Sequence, residues 1–314
     1  MTDITDLKNK IDAFTKSDAD SLNPDEVLDA VAMVIDLLNR GHIRVAEEKD
    51  GTWVVNTWIK QAILFGFKFR KAKRQSPDGF DKFAIRILSK PPESELLEGD
   101  TEHRTAAYLS VREDSSTEST HQEADCEELR KNSILSVDST DNLSYRKAPG
   151  AIIREGVYIG RDAVIMPSYI NIGAYIGERT MIDINAAIGS CAQIGKNCHI
   201  AALACIGGVL EPATDRPVII GDDCFIGAQS AILEGIIVEP NSVIAAGVTI
   251  SSSTKIIDRN TGEITHEIIP ENSVVISGSY PSGGLNIPCA IIVKKIDSNT
   301  RKKTSINEIL RTVE

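Results

Sequence analysis

The sequence predicts a mainly β fold, a parallel β-helix of hexapeptide repeats, with an α-rich N-terminal domain before it and a small C-terminal cap after it. Three observations carry this reading. β-Branched aliphatic residues recur at every sixth position in two ladders, Ile176, Ile182, Ile188, Ile194, Ile200, Ile206, and then Ile220, Ile226, Ile232, Val238, Ile244, Ile250, Ile256. Neither the roughly 3.6-residue period of a helix nor the alternation of a strand produces that spacing. Two positions before the rungs stand small or medium residues, among them Thr180, Ala186, Ala192, Cys198, Ala204, Cys224, Ser230, Ser242 and Val248, which together with the rungs would fill a narrow interior. Directly after the rungs, Gly177, Gly189, Gly195, Gly207, Gly221 and Gly227 recur, as expected where the backbone turns a corner that a Cβ would strain. Three hexads then close one triangular coil.

The first 95 residues lack the hexad and are expected to form a separate α-rich domain. Leu7, Ile11 and Phe14 predict a short amphipathic helix. Val27, Val31, Val34, Leu37 and Leu38 predict a second, opened by Asn23-Pro24-Asp25. A hairpin is expected with strands over 43–46 and 53–55 around Asp50-Gly51, and Trp58, Ile59, Ala62, Ile63 and Phe65 give another helical face. Residues 96–143 are rich in Ser, Thr, Glu and Asp and bury too little to offset their ordering, so a mobile acidic linker is expected there.

The β-helix is expected over 144–260. An earlier ladder of Ile153, Ile159 and Ile165 joins the main one by a step one residue short, to Ile170. Between Ile206 and Ile220 the step is fourteen, two more than two hexads, so a small loop protrudes, and insertions in a solenoid cluster on one working face. Over 261–314 the chain caps the solenoid. Residues 258–263 predict a hairpin excursion, 289–295 a strand and 305–313 a helix.

Composition bounds the function. A net charge of −11 argues against nucleic acid as a partner. No apolar run approaches the roughly 18 residues of a membrane span, and no basic start precedes an apolar stretch, so a cytoplasmic protein is expected. The six cysteines form no C-x-x-C pair, and Cys198 and Cys224 fall at the small interior position, where a thiol serves as a compact hydrophobe. The five histidines are scattered, and no metal site is expected.

A hexapeptide solenoid by itself points only to a class, the left-handed β-helix acyltransferases, which assemble as trimers with donor and acceptor between coils. Individual segments are more specific. Met166-Pro167-Ser168-Tyr169-Ile170-Asn171, Gly189-Ser190-Cys191-Ala192-Gln193-Ile194-Gly195-Lys196-Asn197, Gly207-Gly208-Val209-Leu210-Glu211-Pro212, Ser253-Thr254-Lys255-Ile256 and Ile306-Asn307-Glu308-Ile309-Leu310-Arg311-Thr312 resemble the tetrahydrodipicolinate N-succinyltransferase family, over about 1–75 and 143–314. The resemblance implies transfer of a succinyl group from succinyl-CoA, a cosubstrate rather than a bound cofactor, to the amine of an acyclic 2-amino-6-oxopimelate, in the succinylase route to diaminopimelate and lysine. It also implies a homotrimer with sites between subunits.

Such a site must take a proton, hold an oxyanion and clamp two carboxylates. Asp183 follows a rung where other hexads carry glycine, so it is expected to point outward into the groove. By the resemblance it binds the substrate ammonium and assists its deprotonation. Arg146 matches an arginine for a substrate carboxylate, suited by its bidentate fork. Ser190 and Gly208 are expected to line the same groove as Asp183, Glu211 to sit in the protruding loop, and Ala246, Gly247 and Lys255 to meet CoA. His199 is read as structural. Two departures stand near the chemistry. Gln229-Ser230-Ala231 replaces the family's Arg-Ser-Glu, and Asn185 replaces a Trp. They open two other readings, an N-acyltransferase with a different acceptor or acyl group, and a catalytically weak structural paralogue.

Overall fold

The structure, a computed structural model, describes residues 4–70 and 144–296. The expected linker at 96–143 and the helix at 305–313 lie outside the described residues. Helix α1 (Ile4–Lys16) buries Leu7, Ile11 and Phe14, as the sequence marks, and α2 (Pro24–Asn39) buries Val27, Val31, Val34 and Leu38, while Leu37 of the expected stripe is only half-buried at the margin of the core. Asn23 opens α2 by accepting the Asp25 N–H at 3.0 Å, with Pro24 at the first helical position, where its missing N–H costs nothing. Helix α3 (Thr57–Phe69) follows a hairpin of Ala46–Lys49 with Thr52–Val55. Asp50 and Gly51 both have positive φ, and the two-residue turn fixes the register Lys49 to Thr52. That register moves the first strand to 46–49, three residues later than the apolar pattern at 43–46 suggests, because Val45 is instead drawn into the helical core.

The solenoid is built as three parallel stacks. The first sheet runs through 146–147, 164–165, 181–182, 199–200, 225–226 and 243–244, the second through 152–153, 169–170, 187–188, 205–206, 231–232 and 249–250, the third through 158–159, 175–176, 193–194, 219–220, 237–238 and 268–269. Each rung stacks in register on the next, Ile182 on Ile200 on Ile226 on Ile244, all of them fully buried. Burying each such side chain contributes roughly 1.5–3 kcal/mol. Where the small interior position is a hydroxyl, it is satisfied by the corner backbone: Thr180 donates to the Gly195 carbonyl at 2.7 Å and accepts the Cys198 N–H at 3.0 Å. Ser230 does the same between the Ala245 carbonyl and the Val248 N–H. All described cysteines are free.

The corner glycines Gly177 and Gly195 do not have positive φ; what excludes a side chain is the coil above. A Cβ on Gly177 would lie within 2.7 Å of the Lys196 N and closer still to the Gly195 carbonyl. Left-handed φ falls instead to later corner residues such as Asn185, Asn197, Asp223 and Asn241.

Stacking continues past residue 260. Ile268–Ile269 sits on Ile237–Val238 and Val274–Val275 on Val243–Ile244, after the expected excursion, in which Ile256–Asp258 pairs antiparallel with Ile264–Thr265. A long hairpin, Ser273–Ser282 with Leu285–Lys295, then closes that end, placing Ala290 and Ile292 over the solenoid core. The helices and the β-helix belong to one compact unit: Ile172 and Cys191 from two coils complete the helical core, and Gly41, with φ 69°, ends α2 flat against the Tyr158 ring. Among the described residues no helix is long and apolar enough to cross a membrane.

Close packing at the corners ranks two glycine substitutions. Gly177→Ala forces two coils apart and is expected to cost roughly 3 kcal/mol. Gly262→Ala, with open space around it and only its positive φ to oppose, is expected to cost about 1 kcal/mol. Thermal unfolding midpoints compare them, and equal midpoints would refute the steric account.

Candidate active site

Corners of successive coils stack into three edges, and the edges sort the candidate residues. The edge between the first and second sheets carries Asp183, Asn185, Gln229, Ala246 and Gly247. The edge between the second and third carries Ser190, Gly208, Glu211 and Glu234. Within one chain Asp183 lies on a different edge from Ser190 and Gly208, because the strand Ala187–Ile188 separates their corners.

Asp183 also occupies a column unlike the one expected. The residues after the rungs on its edge are Met166, Asp183, Ala201, Gly227 and Ala245, whereas the unbroken glycine run, Gly160, Gly177, Gly195 and Gly221, lies on the third edge, between the third and first sheets. A Cβ is thus tolerated at residue 183 for steric reasons, and its carboxylate is fixed by neighbours. Oδ1 accepts the Ile184 N–H at 2.7 Å, and Oδ2 lies 3.6 Å from His199 Nε2. Both side chains are about three-quarters covered, with 26% and 21% of their surface exposed. The His199 ring meets Phe225 edge-on at 5.1 Å. Sequence reasoning set His199 aside; the signal for it was the coil length, since pairing of His199 with Met181 puts it directly beyond the Asp183 corner.

Arg146 lies exposed on the first sheet, opposite Val164, in the same outward column as Met181 and His199. Three strand spacings separate it from His199, roughly 14 Å. Ala246 and Gly247 are exposed, with Gly247 at φ 70°. Lys255 lies with its ammonium 5.2 Å from the Tyr280 ring centre, against the closing hairpin.

On the second edge, Gly208 presses on the corner below it: a Cβ there would come within 2.5 Å of the Ser190 N, and Ser190 returns a carbonyl to the Val209 N–H at 3.2 Å. Glu211 follows in the loop, before a cis proline. Beside it opens a cleft of about 590 Å3 lined by Gly208, Glu211, Arg216, Glu234, Ser252 and Glu267. Arg216 spans it, bonded to the Gly235 carbonyl at 2.9 Å and to Glu267 at 3.2 Å. Glu234 accepts the Ser252 hydroxyl at 2.6 Å and its N–H at 3.2 Å, and these bonds hold its carboxyl below the usual carboxylate range. Ala231 stands on the outer face of the second sheet between Cys205 and Thr249 and brings no carboxylate. Among the described residues no group of His, Cys, Asp and Glu could hold a metal ion.

Comparison with known proteins adds independent information. Residues 6–69 match the family model described as tetrahydrodipicolinate N-succinyltransferase N-terminal, 173–208 that of bacterial transferase hexapeptide (six repeats), and 217–252 that of hexapeptide repeat of succinyl-transferase. The chain is 43% identical over 291 residues to 2,3,4,5-tetrahydropyridine-2,6-dicarboxylate N-succinyltransferase of Polynucleobacter asymbioticus, covering 92% of this chain and 91% of that one. It is 44% identical over 285 residues to the protein of that name from Wolbachia sp. subsp. Brugia malayi, covering 90% and 88%. For the one from Sodalis glossinidius the identity is 42% over 293 residues, covering 91% and 90%.

The Glu234 contact is open to a direct check. Ser252→Ala removes the hydroxyl donor, so the Glu234 carboxyl should titrate at higher pH, nearer the ordinary value, when followed by NMR. An unmoved titration would mean that the hydroxyl contact does not form in solution.

Proposed function

The chain belongs to the tetrahydrodipicolinate N-succinyltransferase family, and from that premise we propose how its residues carry the N-succinylation of tetrahydrodipicolinate, a step toward diaminopimelate and lysine. The donor is succinyl-CoA, and the acceptor is the amine of the acyclic 2-amino-6-oxopimelate form. The protein works as a cytoplasmic homotrimer.

The observation that carries this reading is the division of the candidate residues between two edges of one solenoid. Asp183, Ala246 and Gly247 line one edge, and Ser190, Gly208 and Glu211 the other. A ring of three chains sets the first edge of each against the second edge of its neighbour, which makes one complete site per pair. In that site Asp183 receives the acceptor as an ammonium ion. One proton passes to Asp183 and frees the nitrogen lone pair, the N–C bond forms at the thioester carbon, and the C–S bond breaks as the nitrogen's second proton goes to the departing sulfur, releasing CoA as a thiol. Asp183 is suited to its part by position: one oxygen is spent on the Ile184 N–H, and the other faces His199, which steadies it. Arg146 serves a carboxylate of the acceptor, and Ser190, Gly208 and Glu211 of the neighbouring chain border the acceptor from the other edge. Ala246 and Gly247 admit the CoA chain to the exposed edge, and Lys255 meets its phosphates.

Ala231 and Asn185 favour a second reading in which acyl transfer is kept and the acceptor differs. A thiol-release assay decides between them. Turnover with tetrahydrodipicolinate that prefers succinyl-CoA to acetyl-CoA is expected, falling about 10²-fold or more in Asp183→Ala. No turnover from a folded oligomer would favour the altered acceptor, and an undiminished Asp183→Ala would remove that residue from the chemistry.

The shared site is tested separately by mixing subunits. Asp183→Ala and Gly208→Val should each be inactive alone. Refolded together, they should regain about a quarter of wild-type activity, since that fraction of interfaces pairs two intact edges. No recovery would show that both residues act within one chain.

A further inference from the structure

The protruding loop is held by the solenoid at its two shoulders and by the helices between them. Val209 bonds to Ser190 at one shoulder, and Arg216 grips the Gly235 carbonyl at the other. Between them, among the described residues, one hydrogen bond ties 210–215 to another part of the chain: Lys60 of α3 donates from Nζ to the Asp215 carbonyl at 2.6 Å. Leu210 adds a second anchor by packing on the helical core.

Lys60 is fully buried, and burial pushes its ammonium below the ordinary lysine range. A methionine would fill a similar volume with no ammonium to desolvate. What the amine supplies at this position is a donor long enough to reach from a helix to a loop carbonyl. The loop it holds also carries Gly208 and Glu211, which border the acceptor's groove.

We propose that Lys60 is a positioning residue for acceptor binding: by clamping the Asp215 carbonyl it fixes the loop whose near end meets the substrate. This rests on the assignment of Gly208 and Glu211 to the acceptor. It gives the helical domain a part in the reaction without any contact to the reacting atoms.

The test compares the full-length wild type with Lys60→Met and, as a control against a folding defect in that variant, with Leu210→Ala, which loosens the other anchor. Hydrogen exchange followed by mass spectrometry reads the loop without reference to activity, and steady-state kinetics reads its consequence. Exchange should rise over 208–216 and stay unchanged in α1 and α2. The KM for the acceptor should rise about tenfold in both variants while kcat and the KM for succinyl-CoA stay within about twofold. Unchanged loop exchange overturns the clamp. Exchange that rises throughout the helices, with all kinetic constants falling together, overturns the positioning role in favour of a merely structural one. A loosened loop with an unchanged acceptor KM overturns the link to substrate; if Glu211→Gln is then also silent, the failure lies with the assignment of this edge to the acceptor.

Discussion

Everything in this molecule depends on one coil lying in register on the next. Parallel pairing puts Ile on Ile along each sheet, and the triangular interior has room for one rung and one small residue per side. A chain so constrained can depart from the hexad only at a corner, where it is between sheets. The observed departures obey this. The short step from Ile165 to Ile170 falls on the first edge, while the loop after Ile206 and the excursion after Ile250 both fall on the second. The second edge therefore acquires material that the others lack, and the cleft around Glu234 is the space between those two insertions. Arg216 from one and Glu267 from the other close on each other across it at 3.2 Å.

The same constraint decides what the sequence could reveal. Rungs, interior small residues, the Asn23 cap and the Asp50-Gly51 turn are local or periodic, and each was legible because its cause lies within a few residues. The first hairpin strand was misplaced because Ala46–Lys49 is mostly polar and is fixed by a turn rather than by burial. Asp183 stands out through the family resemblance, while the glycine pattern around it holds strictly only on the third edge. Close approach of stacked corners, not φ, sets that requirement, and a one-dimensional pattern does not distinguish the edges until hexads are counted in threes. Counted so, residues 183 and 199 become neighbours, and Ser190 moves to a different edge.

Other features left no trace to find. The bond from Lys60 ends on a backbone carbonyl 155 residues away, and a carbonyl has no residue type. Only the oddity of a lysine amid Trp58, Ile59, Ala62 and Ile63 hinted at it, and that alone is equally compatible with a snorkelling side chain. Arg44 is similar: it stacks 3.6 Å above Tyr175 and donates to Gln193 at 3.1 Å, joining the helical domain to the third sheet through contacts that no local pattern announces.

The substitution at residue 231 can be weighed on the same geometry. Its column on the second sheet runs Ile152, Tyr169, Ala187, Cys205, Ala231, Thr249, a face without charge. A carboxylate there would stand between the first and second edges; without it, charge is confined to the edges themselves, Asp183 on one and Glu234 on the other. The two are not equivalent. Glu234 is bonded twice by Ser252, and these bonds hold its carboxyl below the ordinary carboxylate range. Asp183 instead spends one oxygen on the Ile184 N–H at 2.7 Å and turns the other toward His199 at 3.6 Å. An uncharged residue 231 thus leaves the two carboxylates on separate edges, each set by its own neighbours and by which corner it occupies.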